Sequence, residues 1–100
     1  MTAFDKIRQW GKDKGLTGKN GKATADGQVS KLQEEFDELK DAIEAGSKPF
    51  VIDAIGDMAV VLTLLADLEG LRIEDCIDSA YKEIATRTGR IVNGVFVKDK

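Results

Sequence analysis

At 100 residues, with 42% hydrophobic and 33% charged side chains and a single proline, the chain has the size and composition of one soluble, helix-rich domain, which excludes collagen-like, mucin-like and disulfide-built readings. It has one cysteine, Cys76, and no histidine, so an intrachain disulfide, a Cys/His zinc site and imidazole-dependent catalysis are all excluded. The formal charge of −3 hides an uneven pattern: residues 1–25 hold six Lys/Arg against two Asp, residues 26–79 four against fourteen acids, and residues 80–100 five against two.

Phe4, Ile7 and Trp10 recur at helical spacing and predict a first helix over about 2–14. The Gly- and Lys-rich stretch from Gly15 to Lys22 has the flavour of a phosphate loop. A Walker pattern ending on Gly21-Lys22 would need glycine at 16 and Ser or Thr at 23, however, where this chain has Leu16 and Ala23. It is read as a surface loop.

Val29, Leu32, Phe36, Leu39 and Ile43 step by three and four, the apolar face of a long amphipathic second helix over about 26–45 that Gly46 ends. Ser47 and Pro49 open a third over about 49–69, stopped at Gly70 and apolar on nearly every side. Its longest apolar run, Met58 to Ala66, is read as too short for a bilayer, and no membrane partner is expected. Ile73, Ile77, Ala80 and Ile84 predict a fourth helix over about 73–88, with Cys76 packed beside Ile77. Two β-branched runs around Asn93-Gly94 predict a hairpin over about 90–97. The fold expected is all-α, a four-helix bundle with a small C-terminal β-hairpin. A helix apolar all round must be covered, so the bundle is expected to be completed by oligomerisation as a homodimer or homotetramer.

Two acidic clusters carry the chemistry. Glu35 and Glu38 in Glu34-Glu35-Phe36-Asp37-Glu38 lie one turn apart on the second helix, and Asp53 and Asp57 share a face of the third. Asp57 opens into the most apolar stretch of the chain, where an ionised carboxylate is costly without a partner or metal. Facing helices can aim these carboxylates into one pocket. An all-oxygen donor set suits Mg²⁺ or Mn²⁺ and not zinc, and such a site can hold a polyphosphate and activate water. The acidic middle and scarce aromatics disfavour nucleic acid as a partner.

The order and spacing of these pieces resemble the MazG-like all-α nucleoside triphosphate pyrophosphohydrolases, particularly short single-domain phage and bacterial members. The resemblance rests on Trp10, on Gln28 and Lys31 leading into Glu34-Glu35-x-x-Glu38, on Asp53-Ala54-Ile55-Gly56-Asp57, and on Ala80-Tyr81-Lys82-Glu83-Ile84 running into Arg87-x-Gly89-Arg90. It implies Mg²⁺-dependent hydrolysis of the α–β bond of an NTP or dNTP in the cytoplasm. Glu35, Glu38 and Asp57 would be metal ligands, Glu34 a ligand or water-orienting group, and Lys31, Lys82 and Arg87 phosphate contacts. Trp10 would be a base contact or a core residue, and Tyr81 a core or stacking residue. The family pattern has Glu three residues before the final Asp, where this chain has Ala54; Asp53 is the nearest substitute. The alternative is a non-catalytic helical interaction module with an incomplete metal site.

Overall fold

The computed structural model describes residues 1–100 as helices α1 (Ala3–Asp13), α2 (Ala25–Ala45), α3 (Lys48–Leu68) and α4 (Ile73–Ile84), followed by strands β1 (Gly89–Val92) and β2 (Val95–Lys98). Each long helix begins where a side chain can take up its free N–H groups. Thr2 and Asp5 form a reciprocal capping box on α1, Thr24 Oγ1 accepts from the Gly27 N–H at 3.0 Å on α2, and Ser47 caps α3 ahead of Pro49. Asn93 and Gly94, both at positive φ, turn the antiparallel hairpin, whose register pairs Gly89 with Lys98 and Val92 with Val95.

The hub is α3, against which α1, α2 and α4 all pack. Gly11 lets α1 come close: a Cβ there would lie 2.6 Å from Leu64 Cδ2 and 3.0 Å from Thr17 Oγ1. The α2–α3 seam runs through two small residues, Ala42 and Ala54, both buried. α4 is tied back to α1 by charge, since the Arg8 guanidinium donates to both Glu74 carboxylate oxygens at 2.7 and 2.6 Å and to Asp5 at 2.8 Å.

Several expectations need correction. α4 stops at Ile84 instead of running to about 88, because Ala85 and Thr86 turn out of the helix and Gly89 is taken into β1, where its backbone lies so close to Val97 that a Cβ would be 2.3 Å from that carbonyl oxygen. The α2 stripe does not face the protomer core as a unit: α2 buries Glu35 and Ala42 and leaves Val29, Phe36 and Ile43 at 44–62% exposure. Cys76 and Tyr81 are also exposed, not packed within the protomer. By length and composition α3 is long and apolar enough to cross a bilayer, although its longest unbroken apolar run is short. Three helices pack on it, Asp53, Asp57 and Asp67 lie along it, and 28% of its apolar window is buried.

The Arg8 guanidinium holds the Glu74 carboxyl down to about 2 from the usual 4.5. A depressed carboxyl stabilises the folded state fully above its unfolded value and loses that contribution as pH falls toward the folded one. Glu74→Gln is therefore expected to lower the denaturation midpoint at pH 7. The difference from wild type should shrink between pH 4.5 and 2 in an acid titration followed by circular dichroism.

Candidate metal centre

The seam between α2 and α3 gathers the acids. Glu35 and Glu38, one turn apart on α2, meet Asp57 of α3 so that one carboxylate oxygen from each lies within 4.8 Å of the others. Glu35 is buried at 4% exposure while Glu38 and Asp57 stand at the rim. Glu35 Oε1 lies 3.5 Å from the Lys31 ammonium, and Oε2 is buried with no hydrogen-bond partner. An unpaired buried carboxylate oxygen beside two further carboxylates is unfavourable as it stands. A hard divalent cation would satisfy it, and the all-oxygen donor set fits such an ion.

Electrostatics carry the same sign. Partial desolvation, then the charge and contact of Glu35, then the charge of Asp53 raise the Asp57 pKa above 3.8, and Lys31 opposes them only weakly. Lys31 in turn bridges Glu34 at 3.4 Å and Glu35, whose carboxylates push its own pKa up.

The remaining predicted residues fall around this centre in different ways. Glu34 points to the outer side of α2, paired with Lys31, and does not enter the three-carboxylate group. Asp53 lies one turn before Asp57 and lines the same cleft, about 460 Å³, together with Glu38. Ala54, which occupies the position of the family's glutamate, forms part of that cleft's floor with Ala42. Trp10 is half exposed and lines a second groove that includes Asp57. Lys82 and Arg87 lie apart from the cluster, held by Asp78 at 3.0 Å and Glu83 at 3.7 Å on their own segment. Sequence reasoning missed Asp41 and Phe50, which complete the cleft wall; Asp41 follows Glu38 by three residues, so helical spacing alone could have found it.

The family model for phosphoribosyl-ATP pyrophosphohydrolase matches residues 19–83, well over half of the chain and the whole of this centre. No curated protein and no solved structure matches. The matched family lies within the MazG-like all-α superfamily, as the acidic motifs indicate, and its members are typically metal-dependent.

Because the Asp57 pKa is raised by folding, its ionised form destabilises the metal-free protein, fully so above the folded value and not at all below the unfolded 3.8. Asp57→Asn is expected to raise the thermal midpoint in chelator-containing buffer at pH 7. That gain should vanish as pH falls through the carboxylate range, and a variant less stable than wild type at pH 7 would contradict the assignment.

Proposed function

The chain belongs to the phosphoribosyl-ATP pyrophosphohydrolase family, and from that premise we propose that it hydrolyses the α–β phosphate bond of a nucleoside or deoxynucleoside triphosphate, releasing the monophosphate and pyrophosphate in a Mg²⁺-dependent reaction. The observation that carries the reading is the three-carboxylate group with its unpartnered, buried Glu35 oxygen. Mn²⁺ fits the same donors.

Glu35, Glu38 and Asp57 would hold the ion, with Asp53 as the adjoining fourth acid. When bound, the cation supplies charge neutralisation for the polyphosphate and activation of the attacking water. Lys31 stands at the edge of the cluster with its ammonium already oriented by Glu34 and Glu35, and an arriving phosphate competes for it. Attack of a water oxygen on the α-phosphorus then breaks the bond to the bridging oxygen and releases pyrophosphate; Glu34, on the outer side of α2, would reach that water only by turning inward once Lys31 has moved to the phosphate. Trp10, beside Asp57, offers a face for the base.

The same reading requires more than one copy of the chain. The protomer exposes 7623 Å², whereas a folded monomer of this mass exposes roughly 5,600 Å². Its radius of gyration is 16.0 Å, where about 13 Å is usual for this length. The exposed residues form stripes: Val29, Phe36 and Ile43 at seven-residue spacing on α2, Ile52, Ile55 and Leu62 on α3, and Ile77, Tyr81 and Ile84 on α4. A homodimer or homotetramer covers them. Lys82 and Arg87, remote from the acids of their own protomer, then meet the leaving pyrophosphate of a neighbouring copy.

The test is incubation of a panel of NTPs and dNTPs with Mg²⁺, with monophosphate, pyrophosphate and orthophosphate measured separately on protein whose mass is established by sedimentation. Pyrophosphate release by a dimer or tetramer is expected, and Asp57→Asn should reduce it by about a hundredfold or more. Ala54→Glu should gain little if Asp53 serves as the missing ligand. Orthophosphate alone, a monomer, or an active Asp57→Asn variant would contradict the proposal, and a metal-indifferent chain with no turnover would favour the non-catalytic interaction module.

A further inference from the structure

The carboxylate centre leaves unused a third groove, about 500 Å³, that Lys31 borders. It lies where α1, the loop before α2 and the first turns of α2 meet α3. Trp10 forms one wall, and Leu16, Val61 and Leu64 supply an apolar base. Trp10 also lines the groove that contains Asp57, so the two grooves adjoin at the indole. The dimensions and apolar lining suit an aromatic heterocycle.

The polar side chains of this groove are Lys22, Thr24, Gln28 and, at its border with the acids, Lys31. Lys22 lines it and takes part in no ion pair. The Thr24 hydroxyl accepts from the Gly27 N–H at 3.0 Å, which leaves its proton to donate elsewhere. Gln28, half-buried, has a side-chain amide with no partner in the fold. No carboxylate is part of the lining. A primary amide can make two parallel hydrogen bonds with a base edge, either an N–H beside a C=O or, turned over, an amino group beside a ring nitrogen. The neighbouring donors decide between these. Lys22, a donor only, and the Thr24 proton add hydrogen bonds to a carbonyl oxygen, whereas an exocyclic amino group taken up by the Gln28 carbonyl would set a donor against the Lys22 ammonium.

We propose that Gln28 is a specificity-determining residue and that the Trp10 groove selects bases with an N–H/C=O edge, such as uracil, thymine, guanine and hypoxanthine, over adenine and cytosine. This deepens the pyrophosphohydrolase reading and rests on it for the phosphate end of the ligand. It separates the chain from the adenine nucleotide named in its family's description.

Trp10 is the sole tryptophan, so base stacking is directly visible in its fluorescence. The full-length protein is titrated in chelator with dUMP, dTMP, dGMP, dAMP and dCMP, alongside pyrophosphate release from the corresponding triphosphates with Mg²⁺. The first three are expected to bind about tenfold more tightly than dAMP and dCMP, with kcat/KM following the same order. Gln28→Ala should bring all five to within about twofold, and Gln28→Glu, which offers only acceptors, should shift preference toward dAMP and dCMP. Equal binding of all bases, a wild-type preference for dAMP or dCMP, or ratios unchanged in Gln28→Ala would overturn the inference. Base-selective quenching without pyrophosphate release from any triphosphate would uphold the groove and remove the hydrolase reading. Hydrolysis indifferent to the base would do the reverse.

Discussion

Everything in this molecule is arranged around one unfavourable group, the Glu35 carboxylate held on the α2–α3 seam with one oxygen on Lys31 and the other without a partner. Burying a charge in this way costs several kcal/mol as an order of magnitude unless something neutralises it. Hydrophobic packing alone does not explain the choice, because Val29, Phe36 and Ile43 are left outside and Leu32 and Leu39 only half-buried while Glu35 is taken in. The small pair Ala42 and Ala54 brings the two helices close enough for Glu35, Glu38 and Asp57 to converge. Stability is given up at the place where three carboxylates converge.

The position of Ala54 shows how the departure from the family pattern is accommodated. Its small side chain keeps the seam tight and opens the adjoining cleft, on whose wall Asp53 stands one turn from Asp57. The charge of Asp53 already reaches Asp57, since it contributes to the raised pKa there. An acid is thus present near the required place, on a shorter side chain and from the neighbouring backbone position.

Helical periodicity made α1, α2 and α3 legible, with ends within a residue or so of those observed, because Gly46 and Ser47 are local signals. Asn93-Gly94 likewise announced the hairpin. The end of α4 was not legible, since Gly89 as a helix stop and Gly89 as a crowded strand position look alike in sequence. Glu35, Glu38 and Asp57 could be read from spacing and the family motif. Their separation from Lys82 and Arg87 could not, because it depends on how α4 docks, through the Arg8–Glu74 pair. The rotation of α2 that turns Phe36 and Ile43 outward was hidden for a related reason: a one-dimensional pattern shows that a stripe must be covered, but not whether the cover is its own chain or another copy.

The central claim is that the Glu35, Glu38 and Asp57 oxygens form a divalent-cation site, and Mn²⁺ titration monitored by electron paramagnetic resonance tests it without reference to any reaction. Wild-type protein is predicted to take up Mn²⁺ that Mg²⁺ displaces, and Glu35→Gln, which preserves size and burial, to weaken that uptake by about tenfold or more. Absence of Mn²⁺ binding by the wild type, or equal binding by Glu35→Gln, would contradict it.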